Sequence, residues 1–279
     1  MKFGVSIFPT DYSIDIREVA RAVEGAGLES LWVPEHLHMP RNHSPFPAGG
    51  ELPTEYSHSL DPFVALAAAA AVTSELRLGT AICLVIQRDT ITLAKEVASL
   101  DQLANGRFMF GIGAGWNRPE IENHGTKFST RWRKMREQIL AMKEIWARDE
   151  AEYHGDYVNF DPLWSWPKPV QKPHPPIIMG GDGPFAERGL VEYCDGWLPR
   201  PGRSEVPFPE RLAGVNRRAA EIGRGPLEHT ASGLASDPRV IEPLMSSGVA
   251  RCILRLSSSD AETVKGQIKK CAEVARSFR

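Results

Sequence analysis

An acid and an imidazole stand side by side at Glu35-His36, inside a run that reads WVPEHLHMPRNHSPFPAGGELPTEY and also holds His38, His43 and Glu51. Near neutral pH an imidazole can give or take a proton or hydrogen-bond a bound molecule, and a neighbouring carboxylate can orient it. His36 and His38 also form a His-x-His pair, two of the ligands that a metal-dependent barrel hydrolase would need. Such a centre requires further histidines and a carboxylate from later segments. After residue 175 the only histidine is His229, so no metal is expected. A solvated polar turn is the plainer use of the same run.

Two glycine-rich stretches offer backbone rather than side chains. Gly113, Ala114, Gly115, Trp116 and Asn117 end one apolar run, and Gly180, Gly181, Asp182 and Gly183 lie between another and a helical pattern. Amides at a helix N-terminus can hold an anion, and a glycine-rich connection also serves as an ordinary turn. Trp164 and Trp166 in a proline-rich stretch, and Arg200 and Arg203 further on, are candidates to face a substrate; a loop anchor and a solvated surface are their alternatives.

The elements that must position these groups alternate. Val-, Ile- and Phe-rich runs at Lys2 to Ile7, Ser30 to Val33, Leu76 to Ile82, Arg107 to Ile112, Pro176 to Met179, Gly196 to Leu198, His229 to Ala235 and Ala250 to Leu256 are each followed by a helical pattern. Strands alternating with helices predict parallel βαβ units. Asp89 is placed to cap the helix from Thr90 to Leu103. Met135, Ile139, Met142 and Trp146 fall on one helical face. Glu152 to Phe160 and the prolines through Pro176 predict a short hairpin and ordered loop, which we expect over the barrel mouth. Eight strand and helix pairs in 279 residues predict one (β/α)8 barrel over residues 1–279, with insertions after strands 2 and 4 and the chemistry at the carboxyl ends of the strands.

Composition narrows the partners. A net charge of −2 supplies no basic surface for nucleic acid or an anionic membrane, which leaves a small-molecule substrate. The apolar stretch Phe63 to Val72 is far short of the roughly 20 residues that span a bilayer, and MKFGVSIFPT reads as a first strand rather than a signal segment. Cys83, Cys194, Cys252 and Cys271 form no CxxC pair, so neither a zinc knuckle nor a disulfide framework is expected, and a reducing cytoplasm fits.

The run GTAICLVIQRD followed by ITLAKEVASLDQLANGRFMFGIGAGWN resembles the luciferase-like monooxygenase superfamily. Thr80, Arg88, Ala94, Lys95, Ala98, Leu100, Asp101, Gly106, Arg107, Gly111, Gly113, Gly115 and Trp116 match its motifs in order. WVPEH before them and PPIIMGGDGPFAERGLVEYCDGWLP after them extend the likeness over about four-fifths of the chain. ELPTEYSHSLDPFVALAAAAAVT and FDPLWSWPKPVQKPHPP resemble a subgroup described as F420-dependent.

The resemblance implies a TIM barrel of the bacterial luciferase-like type and an F420-dependent oxidoreductase, with an FMN-dependent monooxygenase as the alternative. It places a non-prolyl cis peptide and a deazaflavin ring at Ala81 and Ile82, with the ring also against Gly113 to Asn117, and the cofactor phosphate at Gly180 to Gly183. In one sugar-phosphate dehydrogenase branch the position of Trp116 carries a catalytic acid; this chain departs from that pattern. Catalysis then falls to His36, with Glu35 expected to orient it. A non-catalytic cofactor-binding protein and a metal-dependent barrel hydrolase are the further alternatives, and the resemblance allows a homodimer.

Overall fold

Strands such as Ser30–Val33 and Ile177–Gly180 are buried along their whole length, as a parallel sheet demands when side chains fill one face and helices cover the other. A computed structural model describes residues 1–278. In chain order the elements are β1 (Lys2–Ser6), α1 (Ile16–Gly25), β2 (Ser30–Val33), α2 (Glu55–His58), α3 (Pro62–Ala70), β3 (Arg77–Thr80), α4 (Thr90–Leu103), β4 (Phe108–Ile112), α5 (Arg118–Asn123), α6 (Arg131–Ala147), β5 (Glu150–His154), β6 (Asn159–Trp164), β7 (Ile177–Gly180), α7 (Pro184–Tyr193), β8 (Gly196–Leu198), α8 (Phe208–Glu221), β9 (Glu228–Leu234), α9 (Pro238–Met245), β10 (Arg251–Arg255) and α10 (Ala261–Arg276).

Eight of these strands close a parallel barrel in the order β1-β10-β9-β8-β7-β4-β3-β2. Pairing of Lys2 through Ser6 with Arg251 through Arg255 joins the last strand to the first. This is the (β/α)8 barrel that the alternation predicts. Its interior is plugged by Trp32, Met109, Ile178, Leu198 and Ile253, with Ala81 and Ile82 packed on top. Gly79 makes room for the plug, since a β carbon there would lie 2.4 Å from the Trp32 ring. The larger apolar cluster fills the layer between strands and helices, and includes the buried α6 face of Met135, Ile139, Met142 and Trp146. Asp89 caps α4 by accepting from the Thr92 amide.

Two expectations need correction. The third strand ends at Thr80, and Ala81 and Ile82 lie beyond it, joined by a cis peptide bond. The segment between α6 and β7 does form an antiparallel hairpin, β5 with β6, but it lies at the amino ends of the strands, the foot of the barrel. Lys168 Nζ donates to the carbonyls of Ile145 and Arg148 at the end of α6, and Gln171 Nε2 donates to Phe108 O, 2.7 Å away, where β4 begins. A chain leaving a helix arrives at the foot, so this insertion cannot roof the mouth. The connection after β2 does so instead: Phe46 and Tyr56 from it pack ring to ring at 5.2 Å, and Phe46 lies 6.1 Å from Trp116. No helix among the described residues is long and apolar enough to cross a membrane.

Candidate active site at the barrel mouth

The carboxyl ends of the strands surround a cavity of about 360 Å³. Of the residues singled out in the sequence, Glu35, His36, Ala81, Ile82, Gly113, Ala114, Gly115, Trp116, Gly180, Gly181 and Arg200 line it. One wall is apolar, built on Ala81, Ile82, Leu84, Leu198 and Ile253. The glycines shape that wall by packing rather than by leaving it open. A β carbon on Gly113 would sit 2.7 Å from Ile82 Cδ1, and one on Gly180 would sit 2.5 Å from Ile82 Cγ2. Ile82 is therefore clamped between two strand ends that only glycine permits, and it forms a fixed shelf in the cavity floor.

His36 stands over this floor, and its carboxylate partner is not Glu35. Nδ1 lies 3.0 Å from Glu120 Oε2 and 3.1 Å from Oε1, with both side chains nearly closed to solvent, at 7% and 1% exposure. An acceptor-only carboxylate at Nδ1 keeps the proton on that nitrogen. Nε2 makes no hydrogen bond to any described residue. The His36 ring is held by Tyr56, 4.9 Å away, and Trp116, 6.0 Å away.

Glu35, two residues past the end of β2, faces Arg88 instead. Arg88 Nε donates to its Oε1 at 2.8 Å and the Leu84 amide to its Oε2 at 2.5 Å, so neither oxygen is left for an imidazole. Arg88 also binds Asp61 at 2.5 Å and Glu96 at 3.0 Å. Burial raises the Glu35 carboxyl above its ordinary value against the pull of Arg88. Burial also works against the Arg88 cation, but the groups around it, Glu35 foremost and Asp61 with it, together outweigh this and its pKa is raised. Glu35 is a support for the third strand end, not an orienting partner of His36.

The remaining candidates separate. Asn117 lies behind the wall, accepting from the Ser44 amide at 2.9 Å and donating to Glu120 at 3.4 Å, so it ties the long β2 connection to the His36 pair. Asp182 accepts from the Arg200 amide at 2.9 Å and sits 3.8 Å from Arg211. Gly183 is the N-cap of α7, with Pro184 at its first position. The amides of Phe185 and Ala186 then donate to no described residue, which leaves a free helix N-terminus beside the cavity. Arg203 reaches Pro47 O at 3.0 Å and latches the roof. Trp164 and Trp166 stand at the foot, 78% and 57% exposed. Their position at the opposite end of the barrel removes them from the site.

Sequence reasoning missed Glu120, Tyr56, Trp132 and Arg255. Trp132, Tyr56 and Arg255 line the cavity; Glu120 lies 84 positions from His36 and reads as an ordinary acid in a first helical turn. Tyr56 sits within the long connection, where its ring neighbours Phe8, His36 and Phe46 meet it only in the fold and nothing in the sequence marks it. Among the described residues no three His, Cys, Asp or Glu side chains stand close enough to hold a metal ion. His36 and His38 take different partners, Glu120 for one and Asn123 at 3.0 Å for the other.

A parallel barrel with an apolar shelf, a carboxylate-held histidine and a free helix N-terminus at its mouth defines an α/β-barrel with a small-molecule cavity at its strand ends. More specifically, the chain belongs to the luciferase-like monooxygenase family, whose description matches residues 1–236. It is 40% identical over 217 residues to the uncharacterized protein Rv0953c of Mycobacterium tuberculosis, covering 76% of this chain and 77% of that one. An F420-dependent glucose-6-phosphate dehydrogenase of Amycolatopsis mediterranei is 27% identical, with 77% of this chain and 61% of the relative covered. An FMNH(2)-dependent dimethylsulfone monooxygenase of Pseudomonas putida is 32% identical over 47% of this chain and 36% of its own. Among solved structures, an F420-dependent secondary alcohol dehydrogenase in complex with an F420-acetone adduct superposes with a TM-score of 0.79 at 19% identity, covering 100% of this chain and 99% of that one. The family's members thus include F420-dependent and flavin-dependent oxidoreductases.

Proposed function

We propose that the protein is an F420-dependent oxidoreductase acting on a hydroxyl or carbonyl group of a small organic substrate. The observation that carries this reading is His36: Nδ1 is fixed by Glu120, and Nε2 is free of protein partners where the cavity lies. With Nδ1 protonated, Nε2 is a base. It can take the proton of a substrate hydroxyl as the adjoining carbon is oxidised, or return one to a carbonyl oxygen in the reverse direction. Trp116 offers no acid, so this proton work rests on His36 alone.

The residues fit a deazaflavin. The Ile82 shelf and the wall of Ala81 and Ala114 would take the flat ring, and the Phe185 and Ala186 amides would take its phosphate. Bound there, the cofactor would supply the hydride donor or acceptor that no side chain can provide. Tyr56, backed by Phe46, covers part of the cavity, and Arg200 and Arg255 are the cations that would face the substrate. The preference for F420 over FMN rests on the resemblance of ELPTEYSHSLDPFVALAAAAAVT and FDPLWSWPKPVQKPHPP to the F420-dependent subgroup.

Titration of the purified protein with F420 and with FMN, followed by quenching of Trp116 and Trp132 emission, tests the reading. Tighter binding of F420 by at least tenfold is expected. Selective FMN binding with oxygen consumption would replace this reading by a flavin monooxygenase, for which the dimethylsulfone relative is the precedent.

A further inference from the structure

The geometry points to a proton exit that runs from His36 away from the cavity, through Glu120 and His124, to His38 at the rim. It rests on the reading of His36 as the base. Once a ring and a substrate fill the cavity, the face of His36 that receives the proton has no path to water, so the proton must leave behind it. Behind it stand titratable groups in sequence.

Glu120 contacts His36 Nδ1 at 3.0 Å. His124 follows four positions later, at the end of the same short helix α5, and residues at that spacing share a face, with β carbons about 5–6 Å apart. His124 Nε2 is buried and has no partner among the described residues, although the residue as a whole is only partly buried. An inward nitrogen with unused capacity on a side chain that also reaches the surface is what a transfer point requires. The His38 ring lies 5.2 Å from it, and His38 Nε2 accepts from Asn123 at 3.0 Å. The charged groups that bear on His124 are His38, Glu120, Lys134 and Arg88.

The transfer balances as protons alone. The substrate proton bonds to His36 Nε2; the Nδ1–H bond breaks and its proton passes to a Glu120 oxygen. The resulting carboxylic acid gives that proton to a ring nitrogen of His124, and His124 passes it to His38 or to water at the rim. Burial of His124 works against a proton there, whereas the Glu120 carboxylate favours one. His36 is left protonated on Nε2; when the cavity opens, water takes that proton and one returns to Nδ1 through Glu120, which restores the starting tautomer. Glu120 and His124 act through His36 and are positioning residues.

Exchange of the His36 Nδ1 proton with water, followed by NMR on protein carrying ¹⁵N-labelled histidine, reads this route without turnover. In the native protein, filling the cavity with F420 or FMN, whichever binds, should change the exchange rate by less than about threefold. In His124→Gln it should slow at least tenfold on filling, and His38→Asn should show a smaller slowing. If the filled native protein slows as much as His124→Gln, the proton leaves through the cavity and the route is wrong. If neither cofactor binds, the proposed function fails on that result alone. The route is then read in the free protein, where His124→Gln should still slow exchange at least twofold and an unchanged rate overturns it. Should His124→Gln fold poorly by circular dichroism, His124→Asn serves in its place.

Discussion

At the foot of the barrel Arg251, 1% exposed, donates to Glu29 at 2.7 and 2.8 Å, to Glu228 at 2.5 Å and to Thr230 at 3.1 Å. At the mouth the His36 and Glu120 pair is buried almost as deeply, yet it stops halfway, with Nδ1 bound and Nε2 left facing the cavity. Both ends therefore bury charge inside the same eight strands. A cluster that satisfies every member holds the fold and does nothing else, because each donor and acceptor is already used. A buried titratable nitrogen that keeps a free face beside a cavity is placed for chemistry. The division follows the usual polarity of barrels, with stability at the foot and function at the mouth.

The largest effect should come from breaking the mouth. His36→Ala is expected to lower turnover about a thousandfold, equivalent to about 4 kcal/mol at the transition state, within the range for losing a general base. Urea unfolding of the variant should report a loss of about 1 to 3 kcal/mol, because Glu120 stays buried without its partner, so turnover is compared on the folded fraction. Glu120→Gln should cost less, because the amide still holds the ring but no longer fixes its tautomer. A stability loss in His36→Ala as large as its activity loss would erase the distinction between the two ends.

Breaking the foot should do the reverse. Arg251→Ala leaves Glu29 and Glu228 without their shared partner, and removal of one side of a buried ion cluster costs about 3 kcal/mol. Urea unfolding should report that loss, while the folded fraction binds cofactor with native affinity. Weakened binding in proportion to the loss of stability would show that the two ends are not separable.

His229 near the foot gives the comparison a pH dependence. It is buried, with Nε2 3.0 Å from Asn216 and Nδ1 unpartnered among the described residues, and burial pushes its pKa down to about 4. The fold holds it neutral. Between pH 6.5 and about 4 the unfolded chain binds a proton that the fold refuses, so stability present above 6.5 is lost as the pH falls across that window. The full loss is on the order of 3 kcal/mol, at about 1.4 kcal/mol per pKa unit. Native protein and His229→Gln compared in urea at pH 7.5 and pH 4.5 should show the difference between them shifting toward the variant at the lower pH. A difference that does not move with pH would mean that His229 is charged in the fold.

The barrel was legible because each apolar run and each helical pattern is a local signal, and eight in alternation leave few ways to pack. The cavity glycines were legible as well, although for a different reason: Gly113 and Gly180 yield to Ile82, and Gly115 to Ile121 and Leu84, rather than to a ligand. The partner of His36 was not legible, because Glu120 reaches it only after the chain has passed through two more barrel strands. The pairing of Glu35 with Arg88 was not legible either, because Glu35 and His36 lie past the end of β2, where strand alternation no longer sets which way a side chain points.

The hairpin supplies the smallest effect and the sharpest control. Trp164 and Trp166 resemble substrate-facing aromatics only while their place along the barrel axis is unknown, and chain order already fixes it, since every segment from a helix to the next strand meets the foot. Trp164 donates to Glu150 across the hairpin at 3.1 Å and is otherwise exposed, so little apolar surface is lost when it goes. Trp164→Ser should therefore change stability by less than about 0.5 kcal/mol, as for surface positions generally, and leave cofactor binding and turnover unaltered in the titration that registers His36→Ala. Reduced turnover in Trp164→Ser would mean that the foot communicates with the mouth through the barrel, and the separation of the two ends would then have to be abandoned.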